Sequence, residues 1–189
     1  MKGAHEIVIA GFGGQGVLSM GQIIAYAAMK ENKEVSWMPS YGPEMRGGTA
    51  YCVVIVSDTR ISSPIVTKYD TAIVLNQPSL DKFEHAVKPG GLLIYEKSTI
   101  INPTKRTDIE VIGISGIEEA QKLTSKQVAN TVLLGAFLEK RPIVAPENVV
   151  AALRGVLPPH RQHLIPVNEN SLKRGKELAL LAVQESVIG

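Results

Sequence analysis

Six residues near the start of the chain, Gly11-Phe12-Gly13-Gly14-Gln15-Gly16, carry the clearest chemical potential. They follow an apolar run, Glu6-Ile7-Val8-Ile9-Ala10, and precede a stretch from Val17 to Lys30 with an apolar face. Strand, Gly-x-Gly-x-x-Gly turn and helix is the context in which a dinucleotide's pyrophosphate rests on a helix start. The glycines permit a tight turn and close approach of backbone to phosphate. They serve equally well to let a helix pack tightly on a sheet with no ligand at all. A nicotinamide cofactor also needs a carboxylate at the end of the second strand to hold its ribose hydroxyls. That position reads Trp37-Met38-Pro39, while Glu31 and Glu34 precede the strand. Classical NAD(P) binding is therefore not expected.

A second group is Ser40-Tyr41-Gly42-Pro43-Glu44-Met45-Arg46-Gly47-Gly48, inside an expected loop of eleven residues from Pro39 to Thr49. Loops of about that length are commonly functional. Arg46 offers a planar fork suited to phosphate or carboxylate. Gly47 and Gly48 would let a ligand or partner backbone come close, and Tyr41 offers an aromatic face. Glu44 either presents Arg46 or merely braces the loop through an internal ion pair. The loop should leave the carboxyl end of strand two beside the glycine turn, the edge at which open α/β sheets bind ligands. Elsewhere chemistry is sparse. Cys52 sits in an apolar strand and reads as a buried, inert thiol. His160 and His163, in Pro158-Pro159-His160-Arg161-Gln162-His163, have no third ligand nearby and read as a solvated loop. No Ser–His–Asp or paired-carboxylate arrangement follows from spacing.

The elements that must position these groups alternate along the chain. Strands are expected at Glu6–Ala10, Glu34–Met38 (stopped by Pro39), Tyr51–Val56, Thr71–Leu75, Leu92–Tyr95 and Ile109–Ile114, with Ile61–Val66 as a short edge strand. Helices are expected at Val17–Lys30, Ser79–Val87, Lys126–Glu139, Pro146–Val156 and Ser171–Val187. Another should run from Ser115, with Glu118 at capping-box spacing, to Leu123. Nearly all-apolar strands alternating with helices predict an α/β, Rossmann-like doubly wound and mostly parallel sheet with helices on both faces. Residues 51 to 66 leave room for an antiparallel edge. No repeat or linker divides the chain, so residues 1–189 are expected to form one domain.

Composition narrows the function class. Apolar residues make up 44% and charged residues 20% of 189, ordinary for a soluble globular protein. A formal net charge of +2 selects neither nucleic acid nor membrane as a partner. No apolar run reaches a membrane span and no signal peptide opens the chain, so a cytoplasmic location is expected. One cysteine rules out an internal disulfide and supplies one ligand where an iron–sulfur cubane needs four. No cofactor or metal is expected on this chain alone.

The glycine turn together with the Ser40–Gly48 motif resembles the gamma subunit of 2-oxoacid:ferredoxin oxidoreductases. Further similarity lies in Ser63-Pro64-Ile65-Val66, Leu75-Asn76, Lys88-Pro89-Gly90-Gly91 and Asn130-Thr131-Val132-Leu133-Leu134-Gly135, thinning beyond about residue 145. The resemblance implies oxidative decarboxylation of a 2-oxoacid with coenzyme A as substrate, giving acyl-CoA, carbon dioxide and reduced ferredoxin. It further implies alpha, beta and ferredoxin-like partner subunits that carry thiamine diphosphate, magnesium and iron–sulfur clusters, with ferredoxin reached indirectly. The forms of the two motifs look more like branched-chain or 2-oxoglutarate enzymes than pyruvate enzymes. The expected cofactor-binding or interface residues are Gly11, Gly13, Gly14, Gln15, Gly16, Ser40, Tyr41, Glu44, Arg46, Gly47 and Gly48, with no catalytic residue on this chain. Two alternatives stay open on sequence: a free-standing Rossmann-type nucleotide-binding oxidoreductase, and a regulatory binding module.

Overall fold

Period-two alternation along six extended segments decides the layering. In β1 (Ala4–Phe12), Ile7 and Ile9 point to one face of the sheet and Val8 and Ala10 to the other; all four are fully buried. The computed structural model describes residues 3–41, 49–123 and 128–188, with side chains at 3–40, 49–123 and 128–182. The remaining strands are β2 (Glu34–Tyr41), β3 (Thr49–Ser57), β4 (Tyr69–Val74), β5 (Val87–Glu96) and β6 (Glu110–Ile114). Their order is β2-β3-β1-β4-β5-β6. The pairings β1–β4, β4–β5 and β5–β6 are parallel, with Ile9 opposite Ile73 and Ile73 opposite Ile94. β3 runs antiparallel to both β1 and β2, with Cys52 opposite Ile9 and Val54 opposite Trp37.

The two faces are covered unequally. On one lie α1 (Val17–Lys30), α4 (Ala129–Lys140), α5 (Pro146–Val156) and α6 (Ile165–Ile188), whose apolar residues join Ile7, Ile9, Val54, Ile73, Ile94 and Ile114 in the larger core. On the other lies α2 (Gln77–Phe83) with its 3-10 extension Glu84–Ala86, and Leu80, Phe83, Ile100 and Ile109 cover Val8, Val74 and Leu93. Each fully buried Leu, Ile or Phe contributes roughly 1.5–3 kcal/mol relative to exposure. α4 is buried on every side from Asn130 to Leu138, because the sheet and α6 enclose it. α4 and α6 approach through glycines: a Cβ on Gly175 would stand 1.9 Å from the Val132 carbonyl oxygen, and one on Gly135 2.1 Å from that of Leu172.

Several expectations change in three dimensions. Pro39 does not stop β2, which runs on to Tyr41. β2 is the edge of the sheet, where a missing backbone N–H is tolerated. Residues 61–66 form no strand, and β2 takes the edge position expected of them by pairing directly with β3. Tyr51–Val56 is therefore second from the edge, and the antiparallel portion is made by residues 34–41 and 49–57. Ser57 does turn the chain after β3, its Oγ accepting from Thr59 N–H at 3.1 Å. α6 starts at Ile165, six residues earlier than expected, with Pro166 tolerated in its first turn. α3 (Gly116–Lys122) begins where expected, but the Ser115 side chain makes no cap bond.

Candidate functional site

The strand order reverses at β1. The chain leaves β1 toward β2 and β3 on one side and returns to β4 on the other, so the carboxyl ends of β1 and β4 flank a topological switch point. A cleft of about 380 Å³ opens there. Gly14, Gln15 and Gly16 form one wall, Leu75 and Glu96 lie where β4 and β5 end, and Ile117 comes from α3. Asn130 and Thr131 from α4, Asn168 from α6, and Arg161 from the 3-10 turn Pro159–Leu164 complete it.

Glycine is required at two points of the turn by backbone geometry. Gly14 has φ +95° and Gly16, the N-cap of α1, has φ +75°. The space beside Gly14 is open. Beside Gly11 and Gly16 it is taken by amide side chains of the chain itself. A Cβ on Gly11 would sit 2.7 Å from Gln15 Oε1, and one on Gly16 2.4 Å from Asn130 Nδ2. Gln15 Oε1 accepts from Phe12 N–H at 2.6 Å, and its Nε2 donates to the Leu75 carbonyl at 3.1 Å, tying the ends of β1 and β4 together. Asn130 Nδ2 donates to the Gly16 carbonyl at 3.1 Å, bringing α4 onto the start of α1.

Glu96 holds the floor of the cleft and is 1% exposed. Its Oε1 accepts from Ser98 N–H and Oγ–H at 3.1 and 2.7 Å, and its Oε2 accepts from Ile117 N–H at 3.0 Å. A carboxylate from β5 thus caps α3 in place of Ser115. Burial pushes its pKa up, and the hydrogen bonds from Ser98, Ile117 and Gly116 only partly offset that. Thr131 Oγ1 donates to Asn168 Oδ1 at 2.7 Å, fastening α4 to α6 behind the cleft. At the rim Arg161 is exposed, and its guanidinium has no hydrogen-bond or ion-pair partner among the described residues.

The expected site residues divide. Gly14, Gln15 and Gly16 line the cleft; Gly11 supports it from within β1, and Gly13 is exposed at the turn's tip. Ser40 and the Tyr41 backbone lie on β2, opposite Tyr51 and Ala50, two strands from the cleft and not in its wall. Glu44, Arg46, Gly47 and Gly48 lie outside the described residues. The flanking Tyr41 and Thr49 are at the same sheet edge as the glycine turn, since Thr49 pairs with Phe12. Glu96, Asn130, Thr131, Asn168 and Arg161 are cleft residues that spacing alone did not single out. A carboxylate ending the apolar run Leu92-Leu93-Ile94-Tyr95, and an asparagine opening the apolar run of α4, were the available signals.

Among the described residues, no carboxylate stands beside the end of β1 on its β3 side, where a nicotinamide cofactor's ribose would be held. The neighbour of β1 on that side is β3, which is antiparallel and presents Thr49 and Ala50. Cys52 is buried beside Trp37 and Gly21, and burial raises its thiol pKa to about 12, so it is a poor nucleophile and a poor metal ligand. Among the described residues no cluster of three or more His, Cys, Asp or Glu side chains could hold a metal ion. Among them, too, no helix is long and apolar enough to cross a membrane.

The chain resembles known proteins in sequence and in fold. The chain is 44% identical over 133 residues to the ketoisovalerate oxidoreductase subunit VorA of Methanothermobacter marburgensis, a match covering 70% of this chain and 28% of that one. The chain thus spans little more than a quarter of that relative's length. It is 34% identical over 163 residues to the 2-oxoglutarate synthase subunit KorC of Methanocaldococcus jannaschii, covering 84% of this chain and 86% of the relative. Among solved structures, the gamma subunit of a keto/oxoacid ferredoxin oxidoreductase from Geobacter sulfurreducens superposes with a TM-score of 0.83 at 30% identity. That match covers 95% of this chain and 98% of the other. The family model for pyruvate ferredoxin/flavodoxin oxidoreductase matches residues 6–178, from the first strand through most of α6, and the chain belongs to that family.

Proposed function

We propose that this chain is a single-domain gamma subunit of a cytoplasmic 2-oxoacid:ferredoxin oxidoreductase. The reaction converts a 2-oxoacid, coenzyme A and oxidised ferredoxin to acyl-CoA, carbon dioxide and reduced ferredoxin. The carrying observation is the end-to-end match to a gamma subunit of a keto/oxoacid ferredoxin oxidoreductase, in which almost all of each chain is covered. The residue inventory supports the same reading. One buried cysteine with a raised pKa does not fit an iron–sulfur cluster, so electron transfer must run through partner subunits. Thiamine diphosphate and magnesium are likewise assigned to the alpha and beta partners. This chain's part is to border that site through the glycine turn, through Ser40 and Tyr41 at the same sheet edge, and through Glu44, Arg46, Gly47 and Gly48 of the segment joining β2 to β3, close to where coenzyme A approaches. The identities to ketoisovalerate and 2-oxoglutarate subunits favour a branched-chain 2-oxoacid or 2-oxoglutarate as substrate.

The test is reconstitution. The chain co-expressed with its alpha, beta and ferredoxin-like subunits should co-purify as a brown complex. That complex should reduce viologen with 2-ketoisovalerate or 2-oxoglutarate plus coenzyme A, and faster than with pyruvate. The chain alone should be colourless and inactive. Turnover by the isolated chain supplied with all cofactors, or failure to join the complex, would refute the subunit reading.

A further inference from the structure

Helix α4 is buried without a break from Asn130 to Leu138, yet its first two buried residues are polar while the rest are apolar or glycine. A buried amide or hydroxyl costs free energy unless it is bonded, and apolar residues would seal a helix against a sheet more simply. Both polar residues stand in the wall of the cleft, and each is bonded to a different element. Asn130 Nδ2 donates at 3.1 Å to the Gly16 carbonyl, which also accepts from Met20 N–H at 3.0 Å, so the bond fixes the point where the glycine turn becomes α1. Thr131 Oγ1 donates to Asn168 Oδ1 at 2.7 Å, and Asn168 Nδ2 donates in turn to the Leu164 carbonyl at 2.7 Å. Leu164 ends the 3-10 turn that carries Arg161, and Gln162 Nε2 ties that turn to the carbonyls of Arg154 and Leu157 at the end of α5. Two adjacent residues of α4 therefore link the glycine turn to the turn bearing Arg161. The two ends of this link share a polarity. α1 starts on Gly16 without a side-chain cap, so its first N–H groups have no intrahelical partner. Arg161 is a cation with no partner among the described residues.

We propose that Asn130, Thr131 and Asn168 are positioning residues, whose relay from Gly16 to Leu164 holds the start of α1 and Arg161 in register so that one polyanionic substrate meets both. The proposal rests on the reading in which coenzyme A approaches this edge of the sheet, and it adds how the spacing of the two cleft walls is set. The three residues act through Gly16 and Arg161. A charged group held by a fixed network binds without the cost of ordering it, which a mobile one must meet. α4 and α6 are packed together independently, through Gly135 and Gly175, so breaking the relay should loosen the cleft rather than part the helices.

The test uses the reconstituted complex, with Thr131→Val breaking the link to Asn168 and Thr131→Ser keeping the hydroxyl. Thr131→Val should raise KM for coenzyme A about tenfold and leave kcat and the 2-oxoacid KM within about twofold, the pattern of uniformly lost binding. Thr131→Ser should restore the wild-type KM. Arg161→Gln should raise the same KM, and adding Thr131→Val to it should change little further, because the relay works through Arg161. Asn130→Leu, which breaks the link to Gly16, repeats the measurement if Thr131→Val does not assemble. On the isolated chain, Thr131→Val should quicken exchange of the Arg161 amide, which donates to the Pro158 carbonyl at 2.8 Å, and leave the amides of Val132–Leu138 unchanged. Faster exchange throughout Val132–Leu138 would make the relay a packing device and sink the proposal. Fully additive losses in the double variant, or a coenzyme A KM that Arg161→Gln raises and Thr131→Val does not, would overturn the relay alone. A KM unmoved by Arg161→Gln would overturn the reading of this sheet edge, and the proposal with it.

Discussion

The two faces of the sheet are built from the same alternation of residues but are finished differently. One is roofed by four helices, of which α4 is buried all round and meets α6 through Gly135 and Gly175. The other carries one seven-residue helix and an irregular stretch from Lys97 to Ile109, with Ile101 83% exposed. The four-helix face resists change because backbone meets backbone, and neither side has a flexible side chain that can yield. The thin face relies on local devices. The Asn76 side chain caps α2 at 2.9 Å, Gln77 clamps the backbone of Ile101 and Asn102, and the Arg106 guanidinium donates to the carbonyls of Glu84 and Val87. A sheet can thus be sealed on one side by tight packing and on the other by polar stitching.

The sharpest challenge to this contrast is Gly175→Ala. The added methyl would fall 1.9 Å from a backbone oxygen, so the helices must part, at a cost of about 3 kcal/mol or more in urea denaturation. A cost under about 1 kcal/mol would show that α4 and α6 separate readily and that the face is not tight. The next comparison sets Phe137→Ala on the four-helix face against Leu80→Ala on the thin face. Both side chains are essentially buried, but Phe137 leaves a hole walled by helices and sheet while Leu80 projects from a short helix, α2, that can settle inward. Losses of about 3–5 and about 2–3 kcal/mol are expected, since the cost depends on how far the site can collapse. Equal losses would erase the distinction.

A smaller effect belongs to the thin face. Asn76→Ala removes the N-cap of α2 and should cost about 1 kcal/mol, with faster amide exchange confined to residues 77–86. Exchange that spreads into α1 or α4 would mean the two faces do not fail separately.

The smallest effect is a slope with pH on the four-helix side. His5 is buried near Phe137 with Nε2 3.0 Å from Thr71 Oγ1, and burial lowers its pKa below 6.5. The unfolded chain then binds that proton more readily than the folded one. Stability present above pH 6.5 should drain as pH falls below it, and His5→Gln should remove that part of the slope. Parallel pH profiles for wild type and variant would show that His5 does not carry it.

Near-neighbour chemistry was legible directly in the residues. α1 from Val17 to Lys30 and α5 from Pro146 to Val156 have the bounds that apolar spacing and a first-position proline predict. The glycine turn falls between β1 and α1, and the two motifs around it carry the family resemblance. These features depend on residues within a few positions of one another, so periodicity and conformational preference report them. Even Pro39 reads locally as a strand end, and only its place at the sheet edge lets β2 continue to Tyr41.

What the tertiary structure alone decided are pairings between groups far apart in the chain. β2 rather than residues 61–66 takes the edge, because the hairpin with β3 closes across a short connection while pairing is register-specific. Glu96 rather than Ser115 caps α3, because β5 and β6 are neighbours and the carboxylate reaches Ile117 N–H from across that pair. Asn130 reaches Gly16 over 114 positions, and Gln15 reaches the Leu75 carbonyl over 60. Gly-x-Gly-x-x-Gly reports that something must come close to the backbone. At Gly11 and Gly16 what comes close is the protein's own amide side chains, Gln15 and Asn130, and no local pattern encodes that the second arrives from α4.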